Sequence, residues 1–291
     1  WRLEIPGLPE LTDVGAHPGY TLDERTYLKQ FFAGDGNPRT DTGTSNGYFT
    51  REDFIDLIRT AHNMGIEVVP EIESPGHARA AIRAMEARRL NCGDDRFRLI
   101  EDGDTSHYTS AQAFHDNIMN PALESTYRFM EKVIDEIASM YHDAGVPLIG
   151  IHIGGDEVPR GAWDGSTAVA RLKEREHLQT QTRVHAYYVQ RIAAMLAARH
   201  IPMHGWQEVA LDHDEDYNKS IAPVAGGVNC WSTLSRQGNG NVTDRVLLAG
   251  FPTILSNVNH LYFDLAYNRD PQEPGLAWGG YVDEFSAFNA Y

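Results

Sequence analysis

Residues 50–65, TREDFIDLIRTAHNMG, repeat apolar positions at helical spacing. Thr50 is placed to cap the first turn and Gly65 to stop the last. The next seven residues, IEVVPEI (66–72), are short and mostly apolar, which predicts a buried strand. The same alternation continues down the chain. ESTYRFMEKVIDEIASMYHDAG (124–145) predicts a long amphipathic helix, and 147–153 a strand. LQTQTRVHAYYVQRIAAMLAARH (178–200) predicts a helix, and IPMHGWQEV (201–209) a strand. GGVNCWS (226–232) is a further strand candidate. NVTDRVLLAGF (241–251) reads as a short helix leading into strand PTILSNV (252–258).

Five strands alternating with helices predict a parallel sheet of the α/β class. Polar or aromatic residues gather at the C-terminal end of each strand: Glu71 and Glu73, Asp156 and Glu157, Trp206 and Glu208, Trp231, then Tyr262 and Asp264. A doubly wound sheet would concentrate ligand contacts at one switch point. Contributions from every strand end suit a (β/α)8 barrel. Only five strands are legible. The expectation is therefore one domain over 1–291, a partial barrel lacking its first strands and possibly its last. The first 45 residues are rich in Gly, Pro and Asp and read as loop.

Composition narrows the partners. A formal net charge of −16 argues against nucleic acid, whose phosphates would be repelled. Cys92 and Cys230 are far apart and match neither a disulfide framework nor a zinc spacing. No apolar run reaches the ~18 residues of a membrane span. No signal peptide is visible at Trp1, and a chain starting without Met reads as a fragment of a longer protein. DGNPRTDTG (35–43) resembles a calcium loop only loosely and reads as a surface turn.

The chemistry concentrates in HIGGDEV (152–158). Side chains of successive strand residues point to opposite faces. Gly154 and Gly155 permit the backbone bend that lets Asp156 and Glu157 reach one cleft. Two like charges so close disfavour double ionisation, so one of the two pKa values should rise, as a general acid requires. An acid pair after a strand can also simply cap the next helix. Neighbouring acids suit poorly the usual glycosidase geometry, with carboxylates ~5 to 9.5 Å apart across a sugar. They suit a substrate that supplies its own nucleophile.

The chain resembles the catalytic domain of family 20 glycoside hydrolases, the β-N-acetylhexosaminidases. The resemblance is carried in order by WRLEIPGLPELTDVGA, GYFTREDFIDLIRTAHNMGIEVVPEIESPGHARAA, HIGGDEV, HGWQEV, NCWS and YFDLAY…WGGYVDEF. It implies a (β/α)8 barrel that removes terminal β-linked N-acetylglucosamine or N-acetylgalactosamine with retention, without metal or cofactor. It implies Glu157 as the acid/base and Asp156 as the residue that orients the 2-acetamido group and stabilises an oxazolinium-like intermediate. By the same resemblance, Tyr262 hydrogen-bonds the acetamido carbonyl, and Trp206, Trp231 and Trp278 wall the sugar pocket. Asp264 contacts sugar hydroxyls, His77 lies near the acid/base, and His152 is the histidine of the acid motif. Aromatic faces stacking on pyranose rings make physical sense of these positions. Trp163 has no matched role and is expected in packing, and Glu71, Glu73 and Glu208 are expected to be supporting groups.

An arginine on the family's first strand, an aspartate before WR, and a tryptophan and an acid near the last strand have no match in 1–291. The partner implied is an N-acetylhexosamine-terminated oligosaccharide or glycoconjugate, met by a secreted, periplasmic or cell-surface enzyme of a bacterial kind. The alternatives are an inactive fragment or sugar-binding module, and a disaccharide-releasing relative. Pocket depth at the loops near 100–120 and 265–278 separates the last of these.

Overall fold

A computed structural model of the protein describes residues 1–16, 47–234 and 240–290. The segment 35–43 lies outside the described residues. Near the start, Glu10–Asp13 forms a short helix (α1), and Leu3 bridges in parallel to Phe49, so the first residues are not all loop. Helix α2 (Arg51–Asn63) starts where the sequence predicts. Thr50 Oγ1 accepts from the Asp53 amide at 3.1 Å, while Asp53 accepts from the Thr50 amide at 3.0 Å. That reciprocal cap satisfies two amides the helix leaves orphaned.

The chain then runs β1 (Glu71–Ser74), α3 (Arg79–Cys92), α4 (Glu124–Ala144), β2 (Ile151–Gly154), α5 (Thr167–Arg175) and α6 (Gln181–Ala197). It continues through β3 (Met203–Trp206), α7 (Glu215–Ile221), β4 (Ala225–Cys230), α8 (Val242–Leu248), β5 (Thr253–Leu255), α9 (Val258–Leu261) and α10 (Glu284–Phe288). All five predicted strands are present, each shorter than its apolar run. Residues 207–209 turn into a 3₁₀ helix, and Val258 opens α9 instead of ending β5.

The five strands pair in parallel in the order β1-β2-β3-β4-β5. Their registers place Glu71 beside His152, His152 beside His204, Trp206 beside Asn229, and Val228 beside Thr253. A doubly wound sheet reverses its order at a switch point; this one never reverses, which is the wall of a barrel. Ile72, Ile151, Ile153, Met203, Val228 and Cys230 are buried in the main core with apolar residues of the covering helices. Helix α4 contributes Phe129, Met130, Val133, Ile134, Ile137 and Met140, all inaccessible to solvent. Each such side chain contributes about 1.5–3 kcal/mol of burial. The opposite face of each strand is therefore free to carry polar groups toward the barrel axis.

Candidate active site

Strand β2 delivers the acid pair through a backbone turn that only glycine fits. Gly154 and Gly155 have φ of +74° and +92°. A Cβ on Gly154 would lie 2.0 Å from Glu73 Oε2, and one on Gly155 would lie 2.4 Å from Val209 Cγ1. Glu157 itself takes a φ of +49°, which is strained for a residue with a Cβ. The result is that two consecutive side chains reach one cleft. His77, just beyond β1, meets both: its Nε2 lies 3.2 Å from Asp156 Oδ2 and 3.2 Å from Glu157 Oε2.

This contact decides the local electrostatics. Burial opposes charge on His77, but the two carboxylates outweigh it and push its pKa up to about 10. Burial would raise Asp156, yet hydrogen bonds and charge from His77 hold its carboxyl below the ordinary range. The expectation that crowding lifts one of the adjacent pair is therefore not met at Asp156, because the His77 imidazolium contacts its carboxylate. The carboxyls that rise are its neighbours. Burial, reinforced by Asp156, pushes Glu73 up to about 10. Burial, again with Asp156, pushes Glu208 up to about 7. No N–H reaches Glu73 Oε2 or Asp156 Oδ1. A proton kept on Glu73 means that it and Asp156 do not meet as two buried charges.

Opposite the acids stands an aromatic wall. Trp231 stacks near Tyr262, with centroids 6.3 Å apart and planes at 18°. Trp278 closes edge-on against both, at 6.0 and 5.9 Å. Each indole is anchored: Trp231 Nε1 donates to Glu208 Oε2 at 3.2 Å, and Trp278 Nε1 to Asp264 Oδ2 at 3.3 Å. Gln207 Oε1 accepts from the amides of Trp231 and Ser232, both at 3.0 Å, fixing the turn after β4. Burial, then the charges of Asp156 and Glu208, raise the Tyr262 phenol, so it stays a hydrogen-bond donor.

Trp206 stands apart from these three rings. Its Nε1 donates to Glu71 Oε1 at 2.8 Å and Glu73 Oε1 at 3.3 Å. His152 packs against its edge at 5.1 Å, is buried, and accepts the Gly154 amide at 3.1 Å. His152 thus supports Trp206 and the turn. Trp163 is buried and donates to the Met119 carbonyl at 2.9 Å, the packing role expected of it. Among the described residues, His77, Asp156 and Glu157 bring three potential metal-ligand atoms within 4.8 Å of one another. A metal ion there would have to displace the proton that the two carboxylates hold on His77.

Two neighbours of the site escape sequence reasoning. Gln112 Nε2 lies 3.4 Å from Glu157 Oε2. A lone glutamine in a polar loop carries no signal of this. His185, on the buried face of α6, has its Nε2 3.9 Å from where a Gly155 Cβ would be. Burial lowers its pKa to about 4, so it stays neutral behind the acids.

The family model described as glycosyl hydrolase family 20, catalytic domain, matches residues 1–291. The chain belongs to glycosyl hydrolase family 20. A beta-hexosaminidase of Vibrio vulnificus is 33% identical over 96% of this chain, and a beta-hexosaminidase B of Pseudoalteromonas piscicida is 35% identical over 96%. An N,N'-diacetylchitobiase of Vibrio harveyi is 34% identical over 96%. The chain spans 33%, 35% and 35% of their lengths respectively, about a third. The family 20 exo β-N-acetylglucosaminidase of Vibrio harveyi, solved with N-acetylglucosamine, superposes with a TM-score of 0.77 at 30% identity. That match covers 99% of this chain and 39% of the other. The five parallel strands are thus part of a family 20 (β/α)8 barrel, and the chain carries the family's glycosidase domain over the matched residues.

Proposed function

We propose that this chain is the catalytic part of an exo-acting β-N-acetylhexosaminidase. It would remove terminal β-linked N-acetylglucosamine or N-acetylgalactosamine, with retention, through an oxazolinium intermediate. The single observation that carries the reading is the shared contact of Asp156 and Glu157 with one imidazole nitrogen, at 3.2 Å each. Acids on one side of His77 leave no space for a sugar ring between them. A protein nucleophile and a protein acid on opposite faces of the sugar are therefore excluded for this pair. This supports a nucleophile on the substrate, whose 2-acetamido oxygen would attack the anomeric carbon.

In the first half, Glu157 gives its proton to the glycosidic oxygen as the bond to the leaving alcohol breaks. Asp156, held ionised by His77, accepts from the acetamido N–H and balances the positive charge that develops on the ring. Tyr262 donates to the acetamido oxygen and fixes it for attack. In the second half, Glu157 takes a proton from water as that water opens the oxazolinium. Two inversions give retention. Trp231 and Trp278 would face the sugar ring, with Trp206 on the β1 side and Asp264 accepting from ring hydroxyls. His77 and His152 hold the acid pair and its turn.

The intact acid pair favours an enzyme over a sugar-binding module. The vulnificus and harveyi relatives are bacterial, and glycan polymers do not cross membranes. We place the work outside the cytoplasm, in periplasm, cell surface or medium. The deciding experiment is hydrolysis of a chromogenic β-N-acetylglucosaminide and of N,N'-diacetylchitobiose by wild type and Glu157→Gln. The variant should lose about 10²–10⁴-fold in kcat on the disaccharide, whose leaving group needs a proton, with KM little changed. Wild-type turnover of the disaccharide by the variant would remove Glu157 from the role. The same assay on periplasmic, medium and cytosolic fractions of source cells decides the location.

A further inference from the structure

We infer that Gln112 reads the leaving side of the substrate: its carboxamide forms a hydrogen bond with the leaving sugar whose oxygen Glu157 protonates. The inference rests on the proposed hydrolase function. Three observations support it. First, Gln112 reaches Glu157 from outside. Its Nε2 lies 3.4 Å from Glu157 Oε2, and its side chain is exposed. His77 already meets that same oxygen at 3.2 Å from the inner side. A neutral amide at 3.4 Å on an exposed side chain adds little to a carboxyl group that His77 already contacts.

Second, the turn that presents Gln112 is built and pinned. The Ala113 amide donates to the Ser110 carbonyl at 2.9 Å, and the Phe114 amide to Ser110 Oγ at 3.0 Å. The Ser110 amide donates back to the Phe114 carbonyl at 2.9 Å, and Ser110 is buried. Ala113 holds a φ of +63°, an uncommon conformation for alanine. The following residues fasten the turn to the barrel. Arg79 covers the Phe114 ring at 5.0 Å and pairs with Asp116 at 2.8 Å, and the Ala78 amide donates to the Asn117 carbonyl at 2.9 Å. A strained tip held by so many ties is preorganised, so little ordering cost falls on a bond made by Gln112.

Third, position selects the ligand part. The proton of Glu157 goes to the leaving oxygen, so the group beyond that oxygen lies next to the exposed flank of Glu157. On the proposed function, the non-reducing sugar would be held by Trp231, Trp278 and Tyr262, which pack together. A carboxamide offers both a donor and an acceptor, which suits a hydroxyl or acetamido-bearing sugar and offers nothing to a hydrocarbon aglycone.

The test compares two substrates with similarly poor leaving groups in the full-length protein. N,N'-diacetylchitobiose carries a leaving sugar. Cyclohexyl β-N-acetylglucosaminide carries an apolar alcohol. For Gln112→Ala, the ratio of kcat/KM for the disaccharide to that for the cyclohexyl glycoside should fall about three- to tenfold, the loss of one neutral hydrogen bond. Most of that fall should be in KM for the disaccharide. Equal losses on both substrates, with a shifted pH profile, would make Gln112 a positioning group for Glu157 and overturn the inference. No change on either substrate would overturn it as well. If the wild type hydrolyses neither substrate, the hydrolase reading itself fails, which is a separate outcome.

Discussion

His77 sits where one imidazole nitrogen serves two carboxylates, and its charge state is the hinge of the site. Its folded pKa, raised toward about 10 from an unfolded 6.5, means that the protonated form is favoured by folding. The stabilisation it gives is therefore complete below about pH 6.5 and is lost as pH climbs toward 10. Glu73, raised from 4.5 toward about 10, also favours its protonated form and works in the same direction. Urea midpoints of the wild type should fall between pH 6.5 and 10, and His77→Gln should flatten that fall. A variant whose midpoints fall as steeply as the wild type's would show that His77 is not the linked group. In the sequence, His77 is one histidine of thirteen. Only the family resemblance singles it out, because its two partners lie about 80 positions away and no local pattern links them.

At the scale of the element, β2 and its glycine turn carry the acid pair. The apolar run 147–153 predicts the strand, and HIGGDEV predicts the bend. Neither shows what crowds the bend: Val209 from the 3₁₀ turn after β3, and Glu73 from β1. Gly155→Ala forces a methyl to within 2.4 Å of Val209 Cγ1 at a φ of +92°. It should cost about 1–3 kcal/mol in urea unfolding. It should also cost about a hundredfold in kcat/KM, since a shift near 1 Å in reacting groups has that effect. Gly145→Ala, at the C-terminal cap of α4, is the control. Its φ is +70° but its Cβ would meet nothing within 4 Å, so it should cost stability alone. An unaltered kcat/KM in Gly155→Ala would rule out the close fit as a requirement. Legibility varied among helices. Helix α4 shows a clean apolar stripe, but α3 buries five residues in a row, Ala81 to Met85, with Arg83 among them. Without a stripe, periodicity does not find it.

At the scale of the molecule, the site gathers groups that arrive on successive strand ends. His77 follows β1, Asp156 and Glu157 follow β2, Trp206 ends β3 with Glu208 just after it, Trp231 follows β4, and Tyr262 lies beyond β5. On the proposed mechanism, a mimic of the cyclised intermediate would engage these groups together. A thiazoline analogue should therefore inhibit at least a hundredfold more tightly than N-acetylglucosamine. Equal inhibition constants would count against the substrate-assisted route. The strand ends were legible because parallel strands alternating with helices all point one way, so their C-terminal residues share one face.

The sequence by itself determined the five strands, helices α2, α4, α6 and α8, the parallel class and the residue types at each strand end. Those follow from short-range rules: periodicity of 2 or 3.6, capping, and the freedom of glycine. Its family motifs also named the acid pair, the histidine and the aromatic residues. Tertiary structure alone decided how these groups pair. It brought one His77 nitrogen to both Asp156 and Glu157, raised the pKa values of Glu73 and Glu208, separated Trp206 from the other indoles, and brought Gln112 to the acid. The reason is distance along the chain. Charges and hydrogen bonds act over a few ångströms of space, and residues tens of positions apart acquire that nearness only when the barrel wall forms.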